Sequence, residues 1–271
     1  MNSPKPAIEE LISLSGRIAV VTGAAQGIGR AIGERLCELG AHVVFADQRP
    51  DVHAAAEGIR AAGGRASSFD LDVTDEDRHL ALVEEILDEH GALDIWVNNA
   101  GIYPASSTLD LPAEEWRAVL AVNLDGAFYG ARAAARAMVP RKRGVILNVG
   151  STSSFRASND GMAHYVSSKF GLRGLTQAFA KEFGPLGIRV LGIAPTATAT
   201  QTLVDGAKSI TAAQSDADSE EDLFGRYAEK IPLRRIATPD DIARVAAFCV
   251  SDLAGYVTGT VIPVDGGHLA S

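Results

Sequence analysis

Cysteine is scarce in this chain: only Cys37 and Cys249 occur in 271 residues. Both fall inside apolar helical patterns, which favours small buried hydrophobes over a disulfide or a metal ligand. No Cys/His cluster has the spacing of a metal centre, so no metal is expected. Positive charge is also short. The 25 Lys and Arg against 34 Asp and Glu leave a net charge of −9. An acidic chain with scattered basic residues is a poor partner for nucleic acid or anionic membranes. No apolar run approaches the length needed to span a bilayer. The opening MNSPKPAIEELISLSG lacks the basic and apolar regions of a signal peptide. Together these absences favour a cytoplasmic protein with a small-molecule partner.

What is present is a rhythm. The chain is 46% hydrophobic, enough for a sizeable core. Short apolar runs occur at Ile18–Val21, His42–Ala46, Ala66–Leu71, Leu93–Val97, Val145–Val149, Arg189–Ile193 and Thr260–Val264. Helical patterns such as Ile28–Leu39, Asp75–His90, Glu114–Met138 and Ala163–Phe183 fall between them. Mostly apolar strands alternating with helices predict an α/β fold, a doubly wound seven-stranded parallel sheet with helices on both faces. No linker or repeat divides it, so residues 1–271 are expected to form a single domain. Residues 1–15 form an N-terminal extension, in which Ala7–Leu14 has room for one or two helical turns. The stretch 196–230, with the acidic run Ser215–Asp222, is too long for a simple connection and is expected to be a lid over a substrate pocket. It precedes a marked helix start, with Thr238 as N-cap, Pro239 next and Asp241 three residues after the cap.

The first strand runs into VVTGAAQGIGRAIGERL, which places Gly23, Gly27 and Gly29 between a strand and a helix. Glycine lets backbone approach a ligand closely, and helix N-termini bind phosphate through free N–H groups and the dipole. No Gly-Lys-Ser/Thr follows, so this is not a triphosphate loop. The second strand ends at Asp47, about 20 residues past the glycines, where a carboxylate can accept from both hydroxyls of an adenosine ribose and repel a 2′-phosphate. That favours NAD over NADP. Arg49 lies two residues on and is assigned to the surface.

In GSTSSFRASNDGMAHYVSSK, Tyr165 and Lys169 are four residues apart and share one helix face. With them the sequence resembles a single-domain short-chain dehydrogenase/reductase, over about residues 16 to 267. The motifs come in that family's order: TGAAQGIG at 22–29, DV at 72–73, NNAG at 98–101, Asn123 in a helix, Ser151 after a strand, YVSSK at 165–169, AP at 194–195 and VDGG at 264–267. The resemblance implies a Rossmann-like fold and a catalytic set of Asn123, Ser151, Tyr165 and Lys169. It implies a cofactor site at Gly23, Gln26, Gly27, Ile28, Gly29 and Asp47, with Asp72 and Val73 beside the adenine. Asn99, Ala100 and Gly101 would flank the cofactor at the fourth strand, with Pro195, Thr196, Thr198 and Thr200 near the nicotinamide. It also implies a homotetramer or homodimer paired through the helices that contain Asn123 and Tyr165. Thr196 stands where the family commonly has glycine.

The chemistry this implies is hydride transfer between a nicotinamide and a secondary alcohol or ketone, with Tyr165 as general acid/base. An unperturbed phenol, with a pKa near ~10, is too weak an acid for that at neutral pH. The Lys169 ammonium and the positive ring of an oxidised cofactor are expected to lower it. A serine hydroxyl would bind the substrate oxygen. The family's commonest spacing selects Thr152, whereas alignment of the strand selects Ser151. Ser153 is a further candidate substrate contact, and Asn123 would hold a water leading from Lys169 to solvent. Tyr103 and Phe155 line the pocket mouth or pack the core, and His164 is packing or pocket wall. Ser154, Ser158, Ser167 and Ser168 are assigned to ordinary loop or helix surface. Loops rich in Ala, Thr, Leu and Phe favour an apolar substrate, cyclic in one version. Two other readings stay open: an NADPH-dependent ketoreductase of biosynthesis, and a non-catalytic cofactor-sensing protein on the same fold.

Overall fold

The computed structural model describes residues 5–157, 160–201, 203–204 and 220–271. Seven strands, β1 (Ile18–Thr22), β2 (His42–Asp47), β3 (Arg65–Asp70), β4 (Ile95–Asn98), β5 (Gly144–Val149), β6 (Ile188–Pro195) and β7 (Val261–Val264), form one sheet in the order β3-β2-β1-β4-β5-β6-β7. Every pair is parallel. The strand order reverses between β1 and β4, which opens a crevice at their carboxyl ends where such sheets bind ligands.

The helices are α1 (Ile8–Ile12), α2 (Gly27–Glu38), α3 (Asp51–Ala61), α4 (Glu76–His90), α5 (Ala113–Leu120), α6 (Gly126–Met138), α7 (Ala163–Phe183), α8 (Glu220–Glu229) and α9 (Pro239–Val250). One core layer packs Ile32 and Leu36 of α2 and Ile242, Ala246 and Val250 of α9 on the sheet face that carries Val21, Phe45 and Ile193. The other packs Leu82 and Ile86 of α4, Ala134 and Met138 of α6 and Phe179 of α7 on the face that carries Val20, Trp96 and Ile146. Apolar side chains on both faces explain why the strands read as continuous apolar runs.

A buried amide ladder fixes the register at the centre. Asn98 pairs with Asn148 across β4 and β5, and the Asn98 Nδ2 donates to Asn148 Oδ1 at 2.9 Å. Trp96 Nε1 donates to Asn98 Oδ1 at 2.7 Å, and Asn148 Nδ2 donates to Thr176 Oγ1 at 2.9 Å. The N-terminal extension forms α1, which buries no residue, and is anchored by Leu14, fully enclosed, whose N–H donates to the Leu39 carbonyl. The capping box at α9 forms as the sequence indicates: Thr238 Oγ1 accepts from Asp241 N–H at 3.2 Å, and the Asp241 carboxylate accepts from Thr238 N–H at 2.9 Å.

One expectation is corrected. The helical pattern Glu114–Met138 is interrupted by a π-helical turn at Ala121–Asp125 that separates α5 from α6. Cys37 and Cys249 are buried and unpaired, and burial pushes their thiols up to about 12 and about 11. Much of the expected lid at 196–230, its acidic run as far as position 219, and Ser158 lie outside the described residues. Among the described residues, no helix is long and apolar enough to cross a membrane.

Candidate active site

The loops after β1, β4, β5 and β6 meet at the carboxyl edge of the sheet. Gly23 and Gly27 both have positive φ, +64° and +59°, which only glycine adopts without strain. A Cβ at Gly23 would lie 2.8 Å from the Ala100 Cα, so the β1 and β4 loops touch backbone to backbone. Asn99 stitches this contact: its Nδ2 donates to the carbonyls of Thr22 at 2.9 Å and Gly23 at 3.1 Å. The Thr22 hydroxyl accepts from the Asn99 and Ala100 N–H groups at 3.0 and 3.2 Å. Sequence reasoning gave Thr22 no role of its own, although it opens the TGAAQGIG motif and ends β1.

α2 begins at Gly27, behind an extended Gln26 whose side chain does not cap it. Its first-turn N–H groups can therefore receive an anion. Ile28, in that turn, packs on the core. Thr200 stands over the turn, with its Cγ2 3.4 Å from where a Gly27 Cβ would be. Asp47 is buried at the end of β2. Its Oδ2 accepts from Ala25 N–H and its Oδ1 from Arg49 N–H, both at 3.0 Å. These bonds aim the carboxylate beside the glycine turn. Arg49 is paired with Asp51 at 2.8 Å.

Past β3, Asp72 accepts from the N–H and hydroxyl of Thr74 at 2.9 and 2.8 Å, and Val73 is buried beside it. Pro195, the last residue of β6, and Thr198 are buried, and Thr196 is half-buried. The Thr198 hydroxyl donates to the Thr196 carbonyl at 3.0 Å.

Tyr165 and Lys169 lie one turn apart on α7, with the Lys169 Nζ 5.7 Å from the centre of the Tyr165 ring. Lys169 is buried and donates to the Val149 carbonyl, at the end of β5, at 3.0 Å. The Ser151 side chain, two residues past β5, is the polar neighbour that favours ionisation of the Tyr165 phenol. The Ser151 Oγ accepts from Ser153 N–H at 3.0 Å, which sets its direction. Gly101 brings the cofactor crevice to this cluster: a Cβ there would lie 3.2 Å from Asn123 Oδ1 and 3.7 Å from Lys169 Nζ.

Asn123 sits on the π-helical turn and is buried. Its amide clasps the backbone of Ile102, accepting from the N–H and donating to the carbonyl, each at 2.8 Å. It also donates to the Ser168 hydroxyl at 3.2 Å. All these bonds go to Ile102 and Ser168, none to Lys169. The ring of Tyr103 lies edge-on to Tyr165, 5.9 Å away. Phe155 lies beneath the Arg173 guanidinium at 4.5 Å.

Three expectations are corrected here. Ser168 is fully buried rather than on the helix surface; its hydroxyl donates to the Tyr165 carbonyl at 2.7 Å while receiving the Asn123 amide. Ser154 is buried too, and its Oγ accepts from Ser151 N–H at 3.3 Å. The Tyr165 phenol is not lowered in the protein alone: burial pushes it above its usual range, against the opposing effect of the Ser151 side chain. The same burial pushes the Lys169 ammonium down to about 8.

The family model described as enoyl-(acyl carrier protein) reductase matches residues 23–268. The chain belongs to the short-chain dehydrogenase/reductase family. It is thus an oxidoreductase of CH–OH and carbonyl groups that uses a nicotinamide dinucleotide. Within the family it is 39% identical to a 3beta-hydroxysteroid dehydrogenase of Eggerthella lenta over 260 residues, covering 94% of each chain. It is 36% identical to an L-rhamnose 1-dehydrogenase (NAD(P)(+)) of Azotobacter vinelandii over 259 residues, covering 94% of this chain and 97% of the relative. A crystal structure of a short-chain type dehydrogenase/reductase from Mycobacterium marinum superposes with a TM-score of 0.89 at 32% identity, covering 98% of this chain and all of the other.

Proposed function

We propose that this short-chain dehydrogenase/reductase is an NAD-dependent dehydrogenase of an apolar, cyclic secondary alcohol or its ketone, with Tyr165 as general acid/base. The observation that carries the reading is the Tyr165–Lys169 pair on one helix face, beside the Ser151 side chain and adjoining the glycine crevice. The uncapped start of α2 fits a pyrophosphate, and the Asp47 carboxylate fits two ribose hydroxyls. Gly23 to Gly29 would hold the phosphates, Asp72 and Val73 the adenine, and Asn99 to Gly101 with Pro195 to Thr200 the nicotinamide end. Lys169 would hold the nicotinamide ribose. A bound dinucleotide supplies the hydride acceptor in one direction and the donor in the other.

The chain's own residues handle the proton. Ser151 holds the substrate oxygen and stabilises charge building on it. Tyr165 takes the hydroxyl proton during oxidation and returns it during reduction. Tyr103, edge-on to Tyr165, offers an aromatic wall that suits an apolar ring. A homo-oligomer is part of the proposal: Phe128 of α6, Val139 just beyond it, and Phe179 and Phe183 of α7 line an open apolar groove suited to a second copy.

The test of cofactor choice is a comparison of initial rates with NAD and NADP at equal concentration. Activity with NAD is expected to dominate. Asp47→Ser is expected to lower kcat/KM for NAD by about 10- to 100-fold, the loss of a charged hydrogen-bond acceptor, while activity with NADP rises. Equal rates with both cofactors in the parent protein would reject the NAD assignment and favour the NADPH reading.

The pH dependence follows from the phenol. Burial holds Tyr165 protonated at neutral pH, and oxidation needs the phenolate. The kcat/KM for alcohol oxidation is expected to climb about tenfold per pH unit from neutral into alkaline solution. Ketone reduction, which needs the phenol, is expected to be flat and then fall. Rate profiles in both directions check this; an oxidation rate that is level or falls with pH would contradict it.

A further inference from the structure

The segment from 99 to 112, between β4 and α5, contains no helix or strand, yet it carries Tyr103 against Tyr165. Beyond the Asn123 clasp on Ile102, it is tied by a single carboxylate oxygen. Glu115, in the first turn of α5, accepts through Oε1 from the Ser106 hydroxyl at 2.6 Å and is paired with His164 Nε2 at 3.2 Å. Ser106 is three residues beyond Tyr103, and His164 immediately precedes Tyr165. His164 is fully enclosed, so its ring cannot turn to water for a substitute partner. The tie is reinforced on the other side, where Ser106 N–H donates to the Gly161 carbonyl at 3.0 Å. One oxygen thus joins the loop that carries Tyr103 to the start of the helix that carries Tyr165.

We propose that Glu115 is a positioning residue for substrate binding, holding the Tyr103 wall at its distance from Tyr165. In this role Glu115 acts through Ser106 and His164. The proposal rests on the reading of Tyr165 as the acid–base group, because only then does the Tyr103–Tyr165 gap define the substrate site. The requirement is an acceptor that serves two donors at once. Glutamine keeps such an oxygen at the same reach, and alanine does not.

The test compares Glu115→Ala and Glu115→Gln with the parent, first by hydrogen exchange of backbone amides. Alanine is expected to speed exchange across 101–107 by about tenfold, the loss of a hydrogen bond to a charged group. Glutamine is expected to restore parent rates, and amides of β4 and β5 are expected to keep theirs in both variants. Parent-like exchange across 101–107 in the alanine variant would overturn the proposal. So would exchange rising equally in the sheet, which marks a general loss of stability. This arm needs no turnover, so it stands apart from the assignment of Tyr165. In a second arm, cyclohexanol serves as probe alcohol with NAD. Alanine is expected to raise the cyclohexanol KM about three- to tenfold with kcat nearly unchanged, as when binding alone is lost, and glutamine to restore it. A fall in kcat with KM unchanged would overturn the positioning role.

Discussion

Tyr165→Phe is expected to abolish measurable turnover while leaving NAD binding intact. The substitution removes one oxygen and keeps the ring, so the edge-on contact with Tyr103 survives. Lys169 keeps its bond to the Val149 carbonyl, which does not depend on the phenol. What disappears is the group that exchanges a proton with substrate, and such catalysis contributes roughly 10²–10⁴-fold. Ser151 still presents a hydroxyl, but a serine hydroxyl has no accessible anion at neutral pH to replace a phenolate. Calorimetric titration with NAD, beside an absorbance assay of the reduced cofactor, checks both halves. Turnover within tenfold of the parent would remove Tyr165 from the chemistry, and loss of NAD binding would show that the phenol is a cofactor contact first.

Gly29→Ala is expected to damage the fold and the cofactor site together. Gly29 lies within α2, and its φ is not unusual; its constraint is space. An added Cβ would lie 2.3 Å from the Gly23 carbonyl oxygen and 2.4 Å from Asn99 Nδ2. Neither can withdraw alone, because Gly23 is backed by Ala100 and Asn99 is bonded to Thr22 and Gly23. Relief requires α2 to lift away from the turn, which spoils the N–H cradle at its start. Overpacking of this kind costs about 1–3 kcal/mol, and for a chain of this size each kcal/mol lowers Tm by about 2–4 °C. NAD affinity is expected to drop at least about tenfold, the equivalent of ~1.4 kcal/mol. Gly58→Ala is the control: nothing lies within 4 Å of its Cβ position, so it is expected to stabilise α3 by about 0.5–1 kcal/mol without changing NAD affinity. Equal binding by the parent and the Gly29 variant would refute the spatial argument.

The sheet was legible because β1, β2, β4, β5 and β6 are covered on both faces and so appear as apolar runs. The glycine turn and the Tyr165–Lys169 pair were legible because backbone approach and helix periodicity each dictate residue type and spacing. The π-helical turn at Ala121–Asp125 was not. An extra residue in one turn scarcely alters the apolar period of Glu114–Met138, while it turns Asn123 toward Ile102. Ser168 and Ser154 escaped because a serine is small enough to be buried when its hydroxyl finds a local partner, and pattern alone does not show that partner. The direction of the Tyr165 shift depends on how completely the phenol is enclosed, which spacing cannot express. The Lys169 charge, 5.7 Å from the ring centre, does not outweigh that enclosure.

The amide ladder that joins Asn98, Asn148 and Thr176 has a consequence for how this scaffold can change. Slipping β4 against β5 by one residue would strand two interior amides, so the heights of Asn99 and Ser151 are locked to each other from below. The 103–112 connection carries no such obligation to the sheet. It can be recast for another substrate shape, by evolution or by loop grafting, while the proton-handling groups stay in place.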